Sequence, residues 1–285
     1  MKFASFEIDG YQSYGVIDGD GVIDLKKRMD GYSHGLIGVL RSDGLAQAAK
    51  AAEGADPDYG LDDVQLLSPI PNPEKIICIG VNYGDRNAEY QDGSDGPRYP
   101  SVFMRARETL VGHGANLIRP PESEQLDYEG EIGVIIGKSG RRIAEADARD
   151  HIAGLTCINE GTIRDWLRHG KFNVTQGKNF AASGAIGPWL VPMEEFGPLD
   201  ELSVACRVNG ETRQSDTTDN MLFNIPHLIR YLSTFMVLKP GDIIASGTPV
   251  GAGARFDPPK WLVPGDVVEV EVGGVGVLRN IVADE

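Results

Sequence analysis

Cysteine is scarce in this chain, and its placement excludes two classes of protein. Three cysteines occur among 285 residues, at Cys78, Cys157 and Cys206. Their odd number and wide separation argue against a disulfide framework, which pairs cysteines within short secreted domains. None of them has a second cysteine at the close spacing of a zinc site. We therefore expect a cytoplasmic protein with reduced thiols.

Long apolar runs are also missing. Because a membrane-spanning helix needs about 18 or more apolar residues in a row and the chain has no such run, we expect no transmembrane helix. The first residues, MKFASFEIDGYQSYG, lack the apolar segment and the cleavage site of a signal peptide. Neither membrane insertion nor secretion is expected.

Basic residues are outnumbered. The chain has 27 Lys and Arg against 42 Asp and Glu, a formal net charge of −15 at pH 7. Such a surface repels nucleic acids and anionic membranes, so we predict neither as a partner. A small anionic substrate remains compatible, because a bound divalent cation reverses the local potential.

Several common catalytic motifs are absent. The sequence has no GxxxxGK[ST] and no GxGxxG after a predicted strand, so a nucleotide-phosphate cradle has no support. It has no HExxH zinc motif and no GxSxG nucleophile elbow. Metalloprotease and serine-hydrolase chemistry are therefore not expected.

A proline-rich segment divides the chain. Residues 68–75, SPIPNPEK, carry three prolines and mark a predicted boundary between a small domain at 1–68 and a larger domain at 69–285. In the small domain, KFASFEI and YQSYGVI are predicted strands joined through Asp9 and Gly10, followed by VIDL. Residues 34–55 predict two short helices that are separated near Ser42–Gly44.

The larger region alternates strands and helices. Strands are predicted at IICIGVN, ESEQLDYEGEIGVIIG and LTCIN, and helices at AEADARDHIAG and TIRDWLRHG. Pro-Gly-Asp occurs twice before a β-branched run, a pattern typical of a turn followed by a strand. Together these patterns predict an α+β protein around a large, partly closed sheet.

Acidic residues alternate immediately before an apolar run. Asp127, Glu129 and Glu131 occur in LDYEGEIGVIIGK, and in one extended strand they would project from the same face. Because buried, unpaired carboxylates are costly, a cationic group is expected beside them. If the strand that precedes Glu160 is a neighbour, Glu129, Glu131 and Glu160 converge. Such all-oxygen ligation suits Mg²⁺ or Mn²⁺, whereas an exposed acidic edge strand is the alternative.

Five further stretches occur in order between about residues 76 and 254. They are ICIGVNYGDRNAEY, LDYEGEIGVIIGK, LTCINEGTIRDW, TQGKNFAASGAIGPWLVP and GDIIASGTPVGAG. Together they resemble the fumarylacetoacetate hydrolase family, in its acylpyruvase branch. The resemblance implies a mixed β-roll or partly closed barrel, a homodimer, and Mg²⁺ or Mn²⁺ held by three carboxylates. It also implies a small 2-oxo acid as substrate.

The resemblance assigns a metal site and a lysine. Glu129 and Glu131 match the paired metal ligands of the family, and Glu160 stands where the third ligand is usually aspartate. Lys178, in GKNF, matches the active-site lysine. An ammonium in that position would stabilise negative charge that develops on an enolate.

Three further residues are implied to bind substrate. Thr248, in GTPVG, matches the threonine that binds the substrate carboxylate, and Arg164 matches the arginine of the third-ligand motif. A turn role for Thr248 and an ion pair between Arg164 and Asp165 are the alternatives. Arg105 stands where lysine is usual, and its fork of donors suits a carboxylate or a diol.

The sequence departs from the family at its lid motif. Arg86 stands where the motif NYxDH has histidine, whereas Glu89 remains at the position of the glutamate that partners it. Since a guanidinium stays protonated, Arg86 cannot serve as a base. We assign that role to Glu89, with Arg86 clamping the substrate or pairing with Glu89. His113 and His169 are the remaining candidates for a base, and residues 86–99 are a candidate lid.

These assignments predict a metal-dependent hydrolase of a 2,4-dioxo acid. Water would attack the 4-carbonyl, and cleavage of the C3–C4 bond would release pyruvate and a carboxylic acid. Because Arg86 and Arg105 suit a polyhydroxylated acyl chain, we predict 2,4-diketo-3-deoxy-L-rhamnonate as substrate and lactate as the second product. The alternatives are a decarboxylase or isomerase of a related 2-oxo or 2-hydroxymuconate-type acid, and a catalytically silent metal-binding relative.

Overall fold

Short strands dominate the secondary structure. The structure is a computed structural model that describes residues 1–29, 34–84, 96–171 and 173–285. In chain order its strands are β1 (Lys2–Ile8), β2 (Tyr11–Asp18), β3 (Gly21–Asp24), β4 (Tyr59–Gly60), β5 (Gln65–Leu66), β6 (Ile76–Gly80), β7 (Ser101–Arg105), β8 (Leu110–Val111), β9 (Asn116–Arg119), β10 (Leu126–Asp127), β11 (Gly130–Ile136), β12 (Ile152–Asn159), β13 (Thr162–Ile163), β14 (Gly184–Pro192), β15 (Ser203–Val208), β16 (Glu211–Thr217), β17 (Ile243–Ala245), β18 (Val267–Val272) and β19 (Gly276–Asp284). The helices are α1 (Leu36–Arg41), α2 (Leu45–Ala52), α3 (Thr175–Lys178) and α4 (Ile225–Phe235).

Most strands belong to one main sheet. Its strand order is β4-β3-β2-β1-β14-β12-β11-β17-β6-β7, with β5 paired to β1 and β8 paired to β14. Every residue of β11 and β12 is buried, because both faces of the sheet are covered. Ile132, Val134 and Ile136 pack into one core cluster, and Ile135 packs into another. This alternation fixes the register of β11, since a one-residue slip would exchange its two faces.

A smaller sheet and one helix cover the first core. The side sheet has the order β16-β15-β18-β19-β9, and β10 pairs with β13 in a separate two-stranded ladder. The first turn of α4 is capped by Asn224, whose side chain accepts from His227 N at 2.9 Å. Ile225, Leu228, Ile229 and Leu232 then form the buried stripe of this helix.

The N-terminal region folds as the sequence patterns predict. The first two strands join through Asp9 and Gly10, and α1 and α2 are separated at 42–44. The predicted domain boundary falls between β5 and β6. Because β1 pairs with β14 at Phe3 and Leu190, residues on both sides of this boundary share the main sheet. The division into domains at 1–68 and 69–285 stays a proposal.

Two predicted helices form only as 3₁₀ segments. Residues Glu145–His151 form a 3₁₀ helix that leads into β12, rather than an α-helix. In the second segment, Thr162–Ile163 pairs with Leu126–Asp127, which leaves only Arg164–Trp166 as a 3₁₀ turn. Pairing with a distant strand decides the conformation here and overrides the local apolar pattern.

The predicted α+β class is confirmed. Within the described ranges the sheets stay open, and none of them closes into a barrel. The longest described helix, α4, has 11 residues. In the described part of the chain, no helix has the length and apolar character needed to cross a membrane.

Candidate metal centre

Three buried carboxylates meet where β11 and β12 lie side by side. Glu129 precedes β11, Glu131 is its second residue, and Glu160 directly follows β12. The antiparallel register places Gly130 opposite Asn159, and the Glu160 amide donates to the Glu129 carbonyl at 2.8 Å. One oxygen atom from each carboxylate lies within 4.8 Å of those of the other two. We call Glu129, Glu131 and Glu160 the acidic cluster.

Asp127 occupies a different environment. The single strand predicted to carry Asp127, Glu129 and Glu131 is wrong, because β10 ends at Asp127 and β11 begins at Gly130. Asp127 Oδ1 accepts from Gly253 N at 2.7 Å, and Oδ2 accepts from Ala254 N at 3.0 Å. Its carboxylate therefore anchors the 3₁₀ turn at Gly253–Arg255.

Lys178 supplies one of the cationic groups that the sequence leads us to expect. Its Nζ atom lies 2.6 Å from Glu129 Oε2 and 2.9 Å from Glu160 Oε2. Burial alone would lower the pKa of Lys178, but the negative charges of Glu129 and Glu160 outweigh burial and raise it. The side chain therefore stays an ammonium inside the site.

Two arginines bind the same carboxylates from other directions. Arg164 donates from Nε to Asp127 Oδ2 at 2.7 Å and from Nη2 to Glu129 Oε1 at 2.6 Å. Its partner is therefore not Asp165, which accepts from Ser123 Oγ at 2.6 Å. The alternative role of Arg164, an ion pair with Asp165, is therefore wrong, and Arg164 lies beside the acidic cluster.

Arg105 is fully engaged with the protein. Its guanidinium donates to Glu160 Oε1 at 3.2 Å and to Gly161 O at 2.8 Å. It also donates to Thr109 Oγ1 at 3.0 Å, to Thr109 O at 3.5 Å and to Ser183 Oγ at 2.9 Å. These bonds use all five N–H groups of an arginine. In this structure Arg105 positions Glu160, and its role in substrate binding stays a prediction.

The buried charges of the described residues balance only when Glu131 takes up a proton or a cation is bound. Burial, together with the charges of Glu160 and Glu129, raises the pKa of Glu131 well above its ordinary value. Among the described residues, and with every group ionised, there are four buried carboxylates and three cations. The carboxylates are Asp127, Glu129, Glu131 and Glu160, and the cations are Arg105, Arg164 and Lys178. An excess negative charge away from water is costly, so this group fits an additional cation.

Some buried polar side chains in the described part of the chain, among them two that adjoin the acidic cluster or its partners in the chain, have polar atoms without a hydrogen-bond partner. Within the described residues, Asn159 Nδ2, Ser246 Oγ and Tyr83 Oη are buried without a hydrogen-bond partner. Asn159 precedes Glu160 in the chain, and Ser246 precedes Gly247, whose amide donates to Glu131 Oε2 at 2.8 Å. Because buried polar groups are normally hydrogen-bonded, these atoms fit a site that binds a polar ligand. The all-oxygen donor set fits a hard divalent cation.

Other predicted residues lie elsewhere or outside the described ranges. Arg86 and Glu89 fall within 85–95, outside the described residues, as does most of the candidate lid. His113 Nδ1 accepts from Arg279 N at 3.2 Å, and the exposed His169 packs against the Trp166 ring. The hydrogen bond of His113 and the ring contact of His169 both involve residues outside the acidic cluster.

Thr248 is tied to a residue that the sequence reasoning missed. Its hydroxyl donates to Gly130 O at 3.0 Å and accepts from Gln214 Nε2 at 2.8 Å. Gln214 is buried in β16, 84 residues from Gly130 in the chain. Its Oε1 atom accepts from the Gly130 amide at 2.9 Å. No local pattern marks such a contact, since the polar strand ETRQSDT is typical of an exposed edge.

Known proteins resemble this chain over nearly its whole length. It is 40% identical over 301 residues to the oxaloacetate tautomerase YisK of Bacillus subtilis (strain 168), covering 98% of this chain and 99% of that protein. It is 36% identical over 267 residues to the mitochondrial oxaloacetate tautomerase FAHD2A of Bos taurus, covering 92% of this chain and 84% of that protein. These relatives overturn the predicted C3–C4 hydrolysis of a 2,4-dioxo acid, because a tautomerase moves a proton and breaks no carbon–carbon bond. The prediction of a hydrolase is therefore wrong, and the isomerase alternative is the better supported.

A solved structure and a family model complete the comparison. The maleylpyruvate hydrolase of Sphingobium sp. SYK-6, in complex with manganese(II) and pyruvate, is 27% identical with a TM-score of 0.81, covering 100% of this chain and 99% of that one. A divalent metal in this relative supports the cation that the acidic cluster fits. The family model described as fumarylacetoacetate hydrolase C-terminal matches residues 75–283. Since that match covers most of the chain, the protein belongs to the fumarylacetoacetate hydrolase family.

Proposed function

We propose that the protein is a metal-dependent tautomerase that interconverts the keto and enol forms of oxaloacetate or a closely similar dicarboxylic 2-oxo acid. The observation that carries the proposal is the 40% identity with an oxaloacetate tautomerase across 98% of the chain. A binding module would not need the buried Lys178 ammonium among the carboxylates of the acidic cluster. Buried charged groups at such a site are typical of enzymes.

The lid sequence supports this chemistry over hydrolysis. Tautomerisation removes a proton from C3 and places a proton on the oxygen of the 2-oxo group, with no water consumed. Arg86 stands where the family usually has the histidine that helps to activate water, and an arginine cannot take that role. Loss of the histidine removes a group that hydrolysis requires but proton transfer does not.

The acidic cluster would hold the cation, which we propose is Mg²⁺ or Mn²⁺. When bound, the cation supplies positive charge that stabilises negative charge on the oxygen of the 2-oxo group. Lys178 lies beside two of the three carboxylates, so its ammonium can donate a hydrogen bond to the same oxygen. A preorganised donor of this kind stabilises the charge that develops as C3 loses its proton.

The remaining roles are carried over from the sequence motifs. We propose Glu89 as the base at C3 and Arg86 as a partner of the distal carboxylate. Arg164, Arg105 and Thr248 keep their predicted roles in substrate binding as part of this proposal. The buried, free cysteines agree with a cytoplasmic enzyme, and we also propose a homodimer.

An ultraviolet assay of enol oxaloacetate tests the proposal. The wild-type chain with Mg²⁺ or Mn²⁺ should accelerate the loss of enol absorbance, a chelator should abolish the effect, and added metal should restore it. Glu131→Gln should lower the rate of tautomerisation more than about 100-fold, because the variant removes one carboxylate of the acidic cluster. Glu271→Gln is the matched control, since Glu271 lies on β18 of the side sheet and pairs with Arg207 of β15. Formation of pyruvate instead of the keto form would overturn the proposal.

A further inference from the structure

Both peptide groups of Gly130 are held by side chains. Its amide donates to Gln214 Oε1 at 2.9 Å, and its carbonyl accepts from Thr248 Oγ1 at 3.0 Å. Gly130 lies between Glu129 and Glu131 in the chain, so these bonds act on the backbone that carries two carboxylates of the acidic cluster.

Gln214 closes this arrangement into a ring. Its Nε2 atom donates to Thr248 Oγ1 at 2.8 Å and to Pro249 O at 2.8 Å. Gln214 and Thr248 are only 2% and 6% exposed, so water does not compete for these bonds. Because Gln214 belongs to β16 of the side sheet and Gly130 to β11 of the main sheet, the ring joins the two sheets next to the acidic cluster.

The ring requires glycine at position 130. A Cβ atom on residue 130 would lie 2.9 Å from Cys206 Cβ and 3.5 Å from Gln214 Oε1. A second connection runs through Thr248, because its neighbour Gly247 donates to Glu131 Oε2 at 2.8 Å. Gln214 therefore acts on Glu131 from the backbone on one side and through the Gly247 amide on the other.

We propose that Gln214 is a positioning residue that fixes the relative orientation of Glu129 and Glu131 and thereby sets the affinity of the acidic cluster for a divalent cation. The carboxamide of Gln214 accepts from the Gly130 amide through Oε1 and donates to the Thr248 hydroxyl through Nε2 at the same time. The inference rests on the cation site of the proposed function, but it does not depend on which reaction that site performs.

Metal affinity of substrate-free protein tests the inference. We expect Gln214→Met, which keeps the length of the side chain but removes both bonds, to bind Mn²⁺ about 10-fold to 100-fold more weakly by titration calorimetry. Thr248→Val should weaken Mn²⁺ binding in the same direction, because it breaks the ring and leaves the Gln214 bond to Gly130 in place. The double variant should lose less Mn²⁺ affinity than the two single losses added together, because both substitutions act through the same ring.

A matched variant separates positioning from general stability. Asn280 is equally buried, and its Nδ2 donates to Gly112 O at 2.8 Å and Ala115 O at 2.7 Å, away from the acidic cluster. Asn280→Leu should lower the melting temperature yet bind Mn²⁺ as the wild type does. The inference is overturned if folded Gln214→Met or Thr248→Val binds Mn²⁺ within about twofold of wild type, or if Asn280→Leu weakens binding equally. A wild-type chain that binds Mn²⁺ but fails to tautomerise oxaloacetate would overturn the proposed function alone.

Discussion

The Lys178 ammonium lies 2.6 Å from Oε2 of Glu129, one of the three carboxylates that would hold a divalent cation. The same ammonium lies 2.9 Å from Glu160 Oε2. Lysine and cation therefore compete for two carboxylates of the acidic cluster, while both favour negative charge on a bound substrate. This dual relationship separates the effects of Lys178 on binding and on turnover.

Removing the ammonium should move affinity and rate in opposite directions. We expect Lys178→Met to bind Mn²⁺ at least as tightly as wild type, because the repulsion and the competing hydrogen bonds are lost. Tautomerisation should fall about 100-fold to 1,000-fold, since a preorganised donor is removed. Lys239→Met is the matched control, because Lys239 pairs with Glu74 at the surface and should leave both quantities unchanged. Parallel losses of affinity and rate would contradict this role.

Asp127 should contribute to stability rather than to metal binding. Its carboxylate is buried and receives Arg164 together with the amides of Gly253 and Ala254. We expect Asp127→Asn to lower the free energy of unfolding by about 3 kcal/mol, because Arg164 loses a buried partner. Urea denaturation measures this change. Asp165→Asn, which alters an exposed carboxylate bound by Ser123, should change stability far less.

The local fold is predictable where neighbours in sequence decide it. Asp9–Gly10 has positive φ at both residues and joins β1 to β2 as predicted, and the break at 42–44 separates α1 from α2. The failure at Thr162–Ile163 has a different cause, because that segment pairs with Leu126–Asp127 and leaves its apolar spacing without effect. Periodicity describes local preference, whereas a partner about 36 residues away can override it.

The candidate site is predictable only in part for the same reason. Alternation and the family motifs bring Glu129, Glu131 and Glu160 together as candidates, and the register of β11 and β12 places them side by side. The contacts of Arg105 with Glu160 and of Gln214 with Gly130 join residues that are far apart in the chain. Residue type and spacing carry no signal for such contacts, so their roles emerge only from the structure.

Gly247 should be sensitive to any added side chain. Its φ is +100°, and a Cβ atom there would lie 2.6 Å from Asn82 Cβ. We expect Gly247→Ala to cost about 1–3 kcal/mol of stability and to weaken Mn²⁺ binding, because its amide would shift away from Glu131. Gly10→Ala provides the comparison, since its φ of +79° carries the backbone cost but nothing lies within 4 Å of the new Cβ. That control should leave Mn²⁺ binding intact.

His113 should make stability depend on pH. Burial, assisted by the nearby charge of Arg279, lowers the pKa of His113 below its ordinary value of 6.5. Since the unfolded chain binds the proton more readily, this group stabilises the fold above about pH 6.5 and loses that contribution as the pH falls. We expect wild type to lose more stability than His113→Gln between about pH 7.5 and 5.5. If urea denaturation shows that wild type and His113→Gln lose the same free energy of unfolding between the two pH values, His113 does not cause the pH dependence.

Solvent exchange at C3 of oxaloacetate tests the central claim most directly. In D₂O with Mg²⁺, the protein should accelerate disappearance of the C3 proton signal in NMR spectra without accumulation of pyruvate. Chelation should return the exchange to its uncatalysed rate, and Glu131→Gln should behave like the chelated protein. Accumulation of pyruvate, or exchange that proceeds equally fast without the divalent cation, would contradict a metal-dependent tautomerase.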